Sequence, residues 1–353
     1  MTRTLTVSVA ALTTTLTVMS GASVPSAEAA PRPSRTKTSA TWSARSAVAG
    51  SLVTVTGTVG GSVKGSVKGR VTGGVTGGVT GKVPGERRVV LQQRTASGWR
   101  RVDQARSSSD GAYSFVVPTD WLYSSKMRVL STRSRRARAD ASSAKRITVE
   151  PGYQPAGSPG AWRPIRRSPR YRINPCQTVR YRLNSTQGLP DPETAQQASQ
   201  AALGAVTMAS GVRFEYAGTT GYVPGAKGRW PRRTDLVIAW AKPSETRWRI
   251  GEGVSGRGGA VDSRWARDAR GRRVAEMYRS GVVLDALEPA IDATNTIQIL
   301  QHELGHVMGL GHVNDPLQHM NGHGGGYDVP PLQWGAGDLT GFRKVGVMAG
   351  CLR

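Results

Sequence analysis

After residue 19, no apolar run in this chain approaches the roughly 20 residues that a helix needs to cross a bilayer. The mature protein is therefore expected to carry no transmembrane segment. With no cell-surface sorting tail either, it should be released or held by non-covalent binding. Phenylalanine appears only 3 times against 44 glycines and 20 prolines, the composition of a soluble, loop-rich protein. Acidic residues are scarce as well: 23 Asp and Glu face 48 Lys and Arg, a net charge of +25. The excess is densest early, with 22 basic against 6 acidic residues over 30–160 and 25 against 16 over 161–353. A polyanion is a reasonable partner for the first half, and a merely solvated basic surface is the competing explanation. No nucleic-acid fold motif is present, so no nucleic acid is expected; an anionic cell-wall polymer suits an exported chain better. Histidine occurs 5 times and cysteine twice, and most of the chemistry lies in where these few residues fall.

Residues 1–29 read as a secretory signal peptide: Arg3 gives a positive start, an apolar run follows to Met19, and Ala27-Glu28-Ala29 forms a small-residue cleavage site. Residues 30–150 switch to short strands, expected at 52–57, 88–94, 98–102, 112–117, 126–130 and 147–149, with Asp110-Gly111 as a turn. That pattern predicts an all-β sandwich. Within it, glycine recurs every fourth residue from Gly61 to Gly85, with valine two after each of the first six. One strand of that length would reach roughly 80 Å, so 61–85 is expected to be an expanded loop without chemistry. The Pro-, Gly- and Arg-rich stretch 151–170 reads as an exposed linker. If so, a chain beginning near Arg170 should keep whatever activity the second half carries.

The second domain, 171–353, is expected to open with a strand over 171–183. Asp191 then caps a helix with Pro192 and Glu193 in its first turn. Its small-residue stripe, Ala195, Ala198, Ala202, Ala205 and Val206, runs to a stop at Gly211. Strands are expected at 212–216, 235–240, 259–262 and 281–285. Asn295, with Gln298 three residues on, reads as the start of the next helix, and 335–345 as the last. The whole is α+β.

In that penultimate helix lies His302-Glu303-Leu304-Gly305-His306-Val307-Met308-Gly309-Leu310-Gly311-His312. Two histidines four residues apart fall about 40° apart on one helix face, which lets both imidazoles bind one ion. A straight helix could not supply the third. Gly309 can take a positive φ, end the helix and turn the chain so that His312 reaches the metal. Three protein nitrogens leave the fourth position open, the mark of a catalytic rather than a structural Zn²⁺. Glu303, on the same side, is the expected general base. His319 and His323 read as turn and surface residues rather than extra ligands.

This pattern, H-E-x-x-H-x-x-G-x-x-H with Met320 eight residues beyond, resembles the metzincin zinc endopeptidases, and most closely their matrixin branch. The resemblance implies a metzincin-type catalytic domain over 171–353: a twisted mixed sheet, the zinc helix, a methionine turn under the metal at Met320, and a C-terminal helix. Val313 and Gly322 depart from matrixin usage at positions that shape the substrate pocket, so matrixin specificity is not implied. Matrixins also hold a structural zinc before the active helix; with no histidine before His302, that second site is not expected here. Calcium (Ca²⁺) sites are left open. Neither cysteine lies in the N-terminal module, so latency through a propeptide cysteine is not expected. An oxidising compartment and one cysteine at each end of the second domain predict a Cys176–Cys351 disulfide. In the first half, Leu91-Gln92, Arg94, Gly98-Trp99 and Asp110-Gly111-Ala112-Tyr113-Ser114-Phe115 resemble the small immunoglobulin-like modules of bacterial secreted proteins.

The expected function is a secreted zinc endopeptidase acting on protein or peptide substrates, aligned along an edge strand near Gly258-Gly259-Ala260-Val261. Two alternatives stay open: a cell-wall-binding protein with a degenerate metal domain, and a zinc hydrolase of a non-protein amide.

Overall fold

The computed structural model describes residues 33, 35–60, 86–135, 137–168, 170–186, 192–287, 293–322 and 329–353. The expected signal peptide, the Gly/Val tract 61–85, the cap Asp191 and His323 lie outside them. The fold is α+β and mostly sheet. Among the described residues there are three α-helices: α1 (Pro192–Ser210), α2 (Ala293–Met308) and α3 (Ala336–Val345).

Alternation builds the first half. One sheet pairs Val53–Gly60 with Lys37–Thr38, Thr41–Trp42 and Ala112–Val117. The other runs in the order Ser46–Val48, Lys145–Glu150, Tyr123–Ser131, Arg88–Thr95, Gly98–Arg106, with Asp140–Ala141 on the Tyr123–Ser131 strand. Every second residue points inward, so Val53, Val55, Phe115 and Val117 from the first sheet meet Val89, Leu91, Met127, Val129 and Ile147 from the second.

The second half is a mixed six-stranded sheet. Tyr171–Arg172, Arg273–Asp285, Leu236–Ala241, Val179–Asn184 and Phe214–Thr219 lie side by side in parallel. Gly256–Arg267 pairs antiparallel with Arg273–Asp285 and, among the described residues, has no strand on its other edge. All six residues of Leu236–Ala241 are buried, as a central parallel strand covered on both faces requires. The small-residue stripe of α1 is buried, and so are Leu300, Leu304 and Val307 of α2, which let the two helices pack closely.

Several expected boundaries are corrected. The strand expected over 171–183 is two, broken between Arg172 and Val179 where Pro175 lacks an amide hydrogen and the chain turns to bring Cys176 to Cys351. The short strands at 259–262 and 281–285 are parts of a long hairpin of 12 and 13 residues. Helix α2 begins at Ala293, so Asn295 lies inside its first turn and is not the cap.

The stretch 151–168 is not a free tether. Arg163–Pro164 pairs antiparallel with Leu310–Gly311, just after α2. Ser158 donates its amide to Asp315 Oδ2 at 3.0 Å, and Ala336 donates to the Ala156 carbonyl at 2.8 Å. Proline and glycine forbid regular structure here, but the remaining amides still find partners on the second half. The two halves also touch directly. Leu122 donates to the Met208 carbonyl at 2.7 Å, Ala96 to Met348 at 3.1 Å, and buried Trp121 lies against Gly211 at the end of α1. A chain beginning at Arg170 is therefore expected to be loosened around the loop that follows α2. At about 1 kcal/mol per lost hydrogen bond, amide exchange over 309–320 should accelerate at least about 100-fold. Unchanged exchange rates in the shortened chain would restore the tether.

Candidate metal centre

Helix α2 carries His302 and His306 one turn apart. It ends where the Gly309 amide bonds back to the His306 carbonyl, with Gly309 at φ +103°. A Cβ there would lie 2.2 Å from the Tyr171 carbonyl oxygen, so a side chain is excluded by space as well as by φ. The next two residues are pinned by the Arg163–Pro164 strand, and His312 swings back toward the helix. Nε2 of His312 then lies 3.0 Å from Nε2 of His302 and 3.0 Å from Nε2 of His306.

The second nitrogen of each helix imidazole is committed elsewhere. His302 Nδ1 donates to the His319 carbonyl at 2.6 Å, and His306 Nδ1 to the Leu310 carbonyl at 2.8 Å. Those bonds fix the tautomer and leave both Nε2 lone pairs bare. A proton on His312 Nε2 satisfies one of the two contacts and not the other, whereas a cation at the common point satisfies all three nitrogens. The group can therefore hold a metal ion, and its imidazole donors suit Zn, Cu, Fe and Ni alike. Burial, aided by the neighbouring imidazoles, pushes His302 down to about 3; burial chiefly brings His306 down to about 4. Both are neutral, the ligating form, at ordinary pH.

Glu303 faces the Gly256–Arg267 strand. Helix and strand touch backbone to backbone here, because a Cβ on Gly258 would lie 2.2 Å from the Glu303 carbonyl oxygen. Burial pushes the Glu303 carboxyl up to about 8, against the pull of the Gly258 amide and the Arg257 guanidinium. A cation at the three nitrogens acts in the same sense as those two, favouring the carboxylate. His302, Glu303, His306 and His312 share a cleft of about 590 Å³. Its opposite wall includes the 253–258 segment, and Ile165 of the supposed linker also lines it, a position sequence alone does not single out.

Met320 is buried, with its Sδ against Gly305 between the two helix histidines. Its turn is closed by Val313 donating to the Met320 carbonyl at 2.8 Å and Gly322 to Val313 at 3.0 Å. Beneath it sits Asp338, 1% exposed. That carboxylate accepts from the amides of His319 at 2.7 Å, Met320 at 3.3 Å and Gly335 at 3.2 Å. Sequence reasoning passed over it, since an acid in the first turn of a helix reads as a dipole complement and nothing more.

His319 needs correction. It belongs to the turn, as expected, but it is fully buried rather than on the surface. Its ring meets Trp334 edge-on at 5.2 Å, and its nitrogens face the Pro330 and Gln333 carbonyls without forming hydrogen bonds. It is no part of the three-histidine group. Cys176 and Cys351 form a disulfide, tying the chain end to the turn before the Val179–Asn184 strand. No family model matches this chain, and no curated protein matches it either.

The buried histidines set a pH dependence. His302, His306 and His319 all have folded pKa values depressed by burial below the ordinary imidazole value of 6.5, His319 to about 4. Through these three groups the unfolded chain binds more protons below pH 6.5, so their share of stability is complete above that pH and falls as the pH drops toward about 4. Glu303 and Asp338, whose carboxyls burial raises to about 8 and about 7, act in the opposite sense, and the net decline is confined to below about pH 6. Urea midpoints of the chelator-treated chain should decline from about pH 6 toward about 4. His319→Gln, which removes a titrating group away from the ligand set, should make the decline shallower. A decline below about pH 6 as steep in His319→Gln as in the parent would contradict the burial of that ring.

Proposed function

We propose that this chain is a secreted zinc endopeptidase with a metzincin-type catalytic half. The observation that carries the proposal is the convergence of three imidazole nitrogens at 3.0 Å spacing with a buried carboxylate in the same cleft. Met320 beneath Gly305 and the spacing of the motif support it. A zinc ion held by His302, His306 and His312 supplies Lewis acidity, polarising a carbonyl and lowering the pKa of water. Glu303 takes a proton from the attacking water and returns it to the departing amide nitrogen, so that one C–N bond breaks as one C–O bond forms. The Gly258 amide holds that carboxylate in the cleft. The unpaired edge of Gly256–Arg267 can align an extended peptide beside it by adding main-chain hydrogen bonds. The disulfide suits an oxidising compartment, and no described helix is long and apolar enough to cross a membrane.

Incubating the purified chain with a peptide library, with and without a chelator, tests this directly. Cleavage that stops on chelation and returns with zinc is the expected result. His306→Ala should lose both metal and activity, because two imidazoles hold zinc poorly. A zinc-loaded chain that cuts no peptide favours a zinc hydrolase of a non-protein amide or a degenerate metal domain.

A further inference from the structure

The outer face of the larger sheet in the first half carries a set of cations with no use in the proposed chemistry. Strand register puts Arg94 opposite Trp99, Gln92 opposite both Arg101 and Arg128, Val90 opposite Gln104, and Lys126 opposite Arg146. These positions alternate with Val89, Leu91, Met127, Val129 and Ile147 of the core, so they point the other way, to solvent. With Arg88, one face displays Arg88, Arg94, Arg101, Lys126, Arg128 and Arg146; its acids lie at the margins, Glu150 at the end of the Lys145–Glu150 strand and Glu86 in an ion pair with Arg106 beside Arg88.

Among the described residues, none of the six is in an ion pair. Their anchors are neutral instead. Arg128 Nε donates to Gln92 Oε1 at 2.9 Å, Arg101 to Gln104 Oε1 at 3.0 Å, Arg88 to the same oxygen, and Arg146 to Ser124 Oγ at 3.5 Å. The Arg128 guanidinium lies 4.2 Å from the centre of the Trp99 ring and that of Arg94 lies 5.7 Å from it. The guanidiniums are thus oriented without being neutralised. Like charges directly opposite on a sheet, as at Lys126 and Arg146, are destabilising. A fixed array of cations in which no member is ion-paired is complementary to a ligand that brings the negative charge.

The array also limits what that ligand is. Lys126 lies about 6.8 Å from Arg128 along its strand and about 4.8 Å from Arg146 across strands, a spacing that matches a chain with one charge per short repeat. The single exposed-face aromatic, Trp99, already stacks with two guanidiniums, so the face offers no free platform for nucleobases. We propose that this sheet face binds a linear polyol-phosphate polymer, one phosphodiester per repeat. This stands apart from the peptidase proposal, since no residue of the metal cleft takes part.

The test uses the full chain and fluorescently labelled poly(glycerol phosphate) at several salt concentrations. Binding should be present at low salt and weaken steeply as salt rises. Arg94→Gln with Lys126→Gln and Arg128→Gln should weaken it at least about tenfold near 0.1 M salt and flatten the salt dependence. An equal change in net charge elsewhere, Arg270→Gln with Arg343→Gln and Lys344→Gln in the cavity beside α3, should leave affinity within about twofold of the parent. Should the first triple unfold, Lys126→Gln with Arg146→Gln, both exposed, replaces it and should still weaken binding severalfold. The proposal falls if the polymer does not bind at low salt, if the control triple weakens binding as much, or if single-stranded DNA of matched charge binds as tightly.

Discussion

Glu303→Ala is expected to lower peptide hydrolysis by about 10³–10⁴-fold while leaving one metal ion per chain. The carboxylate is not among the three converging nitrogens, and their orientation depends on the His319 and Leu310 carbonyls rather than on Glu303. What the substitution removes is the group that accepts a proton from water and delivers it to the departing nitrogen. One residue serving both transfers places the loss toward the upper end of what a general acid–base group contributes. Glu303→Gln is the sharper variant. It keeps the volume against Ile299 and the Gly256–Arg267 strand but cannot act as the base, so its activity should be nearly as low. Metal content, measured beside the rate, separates this from ligand loss. Parental turnover in the Gln variant would show that another group carries the proton.

The three-histidine group was legible in the sequence because its constraints are local. Two histidines a turn apart and a glycine that must end the helix are fixed by spacing alone, and His312 follows within a few residues. Legibility failed where a partner is distant or the strand signal is weak. In Gly256–Arg267 and Arg273–Asp285, charged residues and the glycines of Gly256-Arg257-Gly258-Gly259 hide the alternation, and the register shifts around Asp262 interrupt it. Only the segments near 259–262 and 281–285 read as strand. The 151–168 stretch has the composition of a linker, and nothing local reveals that Gly309 and Ala336 await its backbone. His319 is polar by type and lies in a turn, yet Trp334 and α3 cover it. The α+β class and the three histidines that could hold a metal ion were therefore accessible, whereas what supports them was not.

Asp338 is the support whose loss should matter most. Its carboxylate holds the amides of His319 and Met320 on one side and of Gly335 on the other, and its own amide donates to Gln318 Oε1 at 2.9 Å. Through the His319 peptide it reaches the metal site, because the carbonyl of that residue accepts from His302 Nδ1. Burial raises the Asp338 carboxyl to about 7 against the pull of its three amide donors. In Asp338→Ala those donors face an apolar methyl in a region closed to water, and leaving buried N–H groups unpaired costs about 1–3 kcal/mol each. A loss of about 3–5 kcal/mol in unfolding free energy is expected, since part of the turn can relax. The slackened His319 carbonyl should also loosen His302, weakening metal binding by about 10–100-fold, as removal of an orienting partner does. Asp338→Asn keeps one acceptor oxygen and should fall between the two. Urea unfolding of the metal-free chain and competition with a chelator read the two effects separately. If Asp338→Ala unfolds at the parental midpoint and holds its metal as tightly, the methionine turn is braced by something other than this carboxylate.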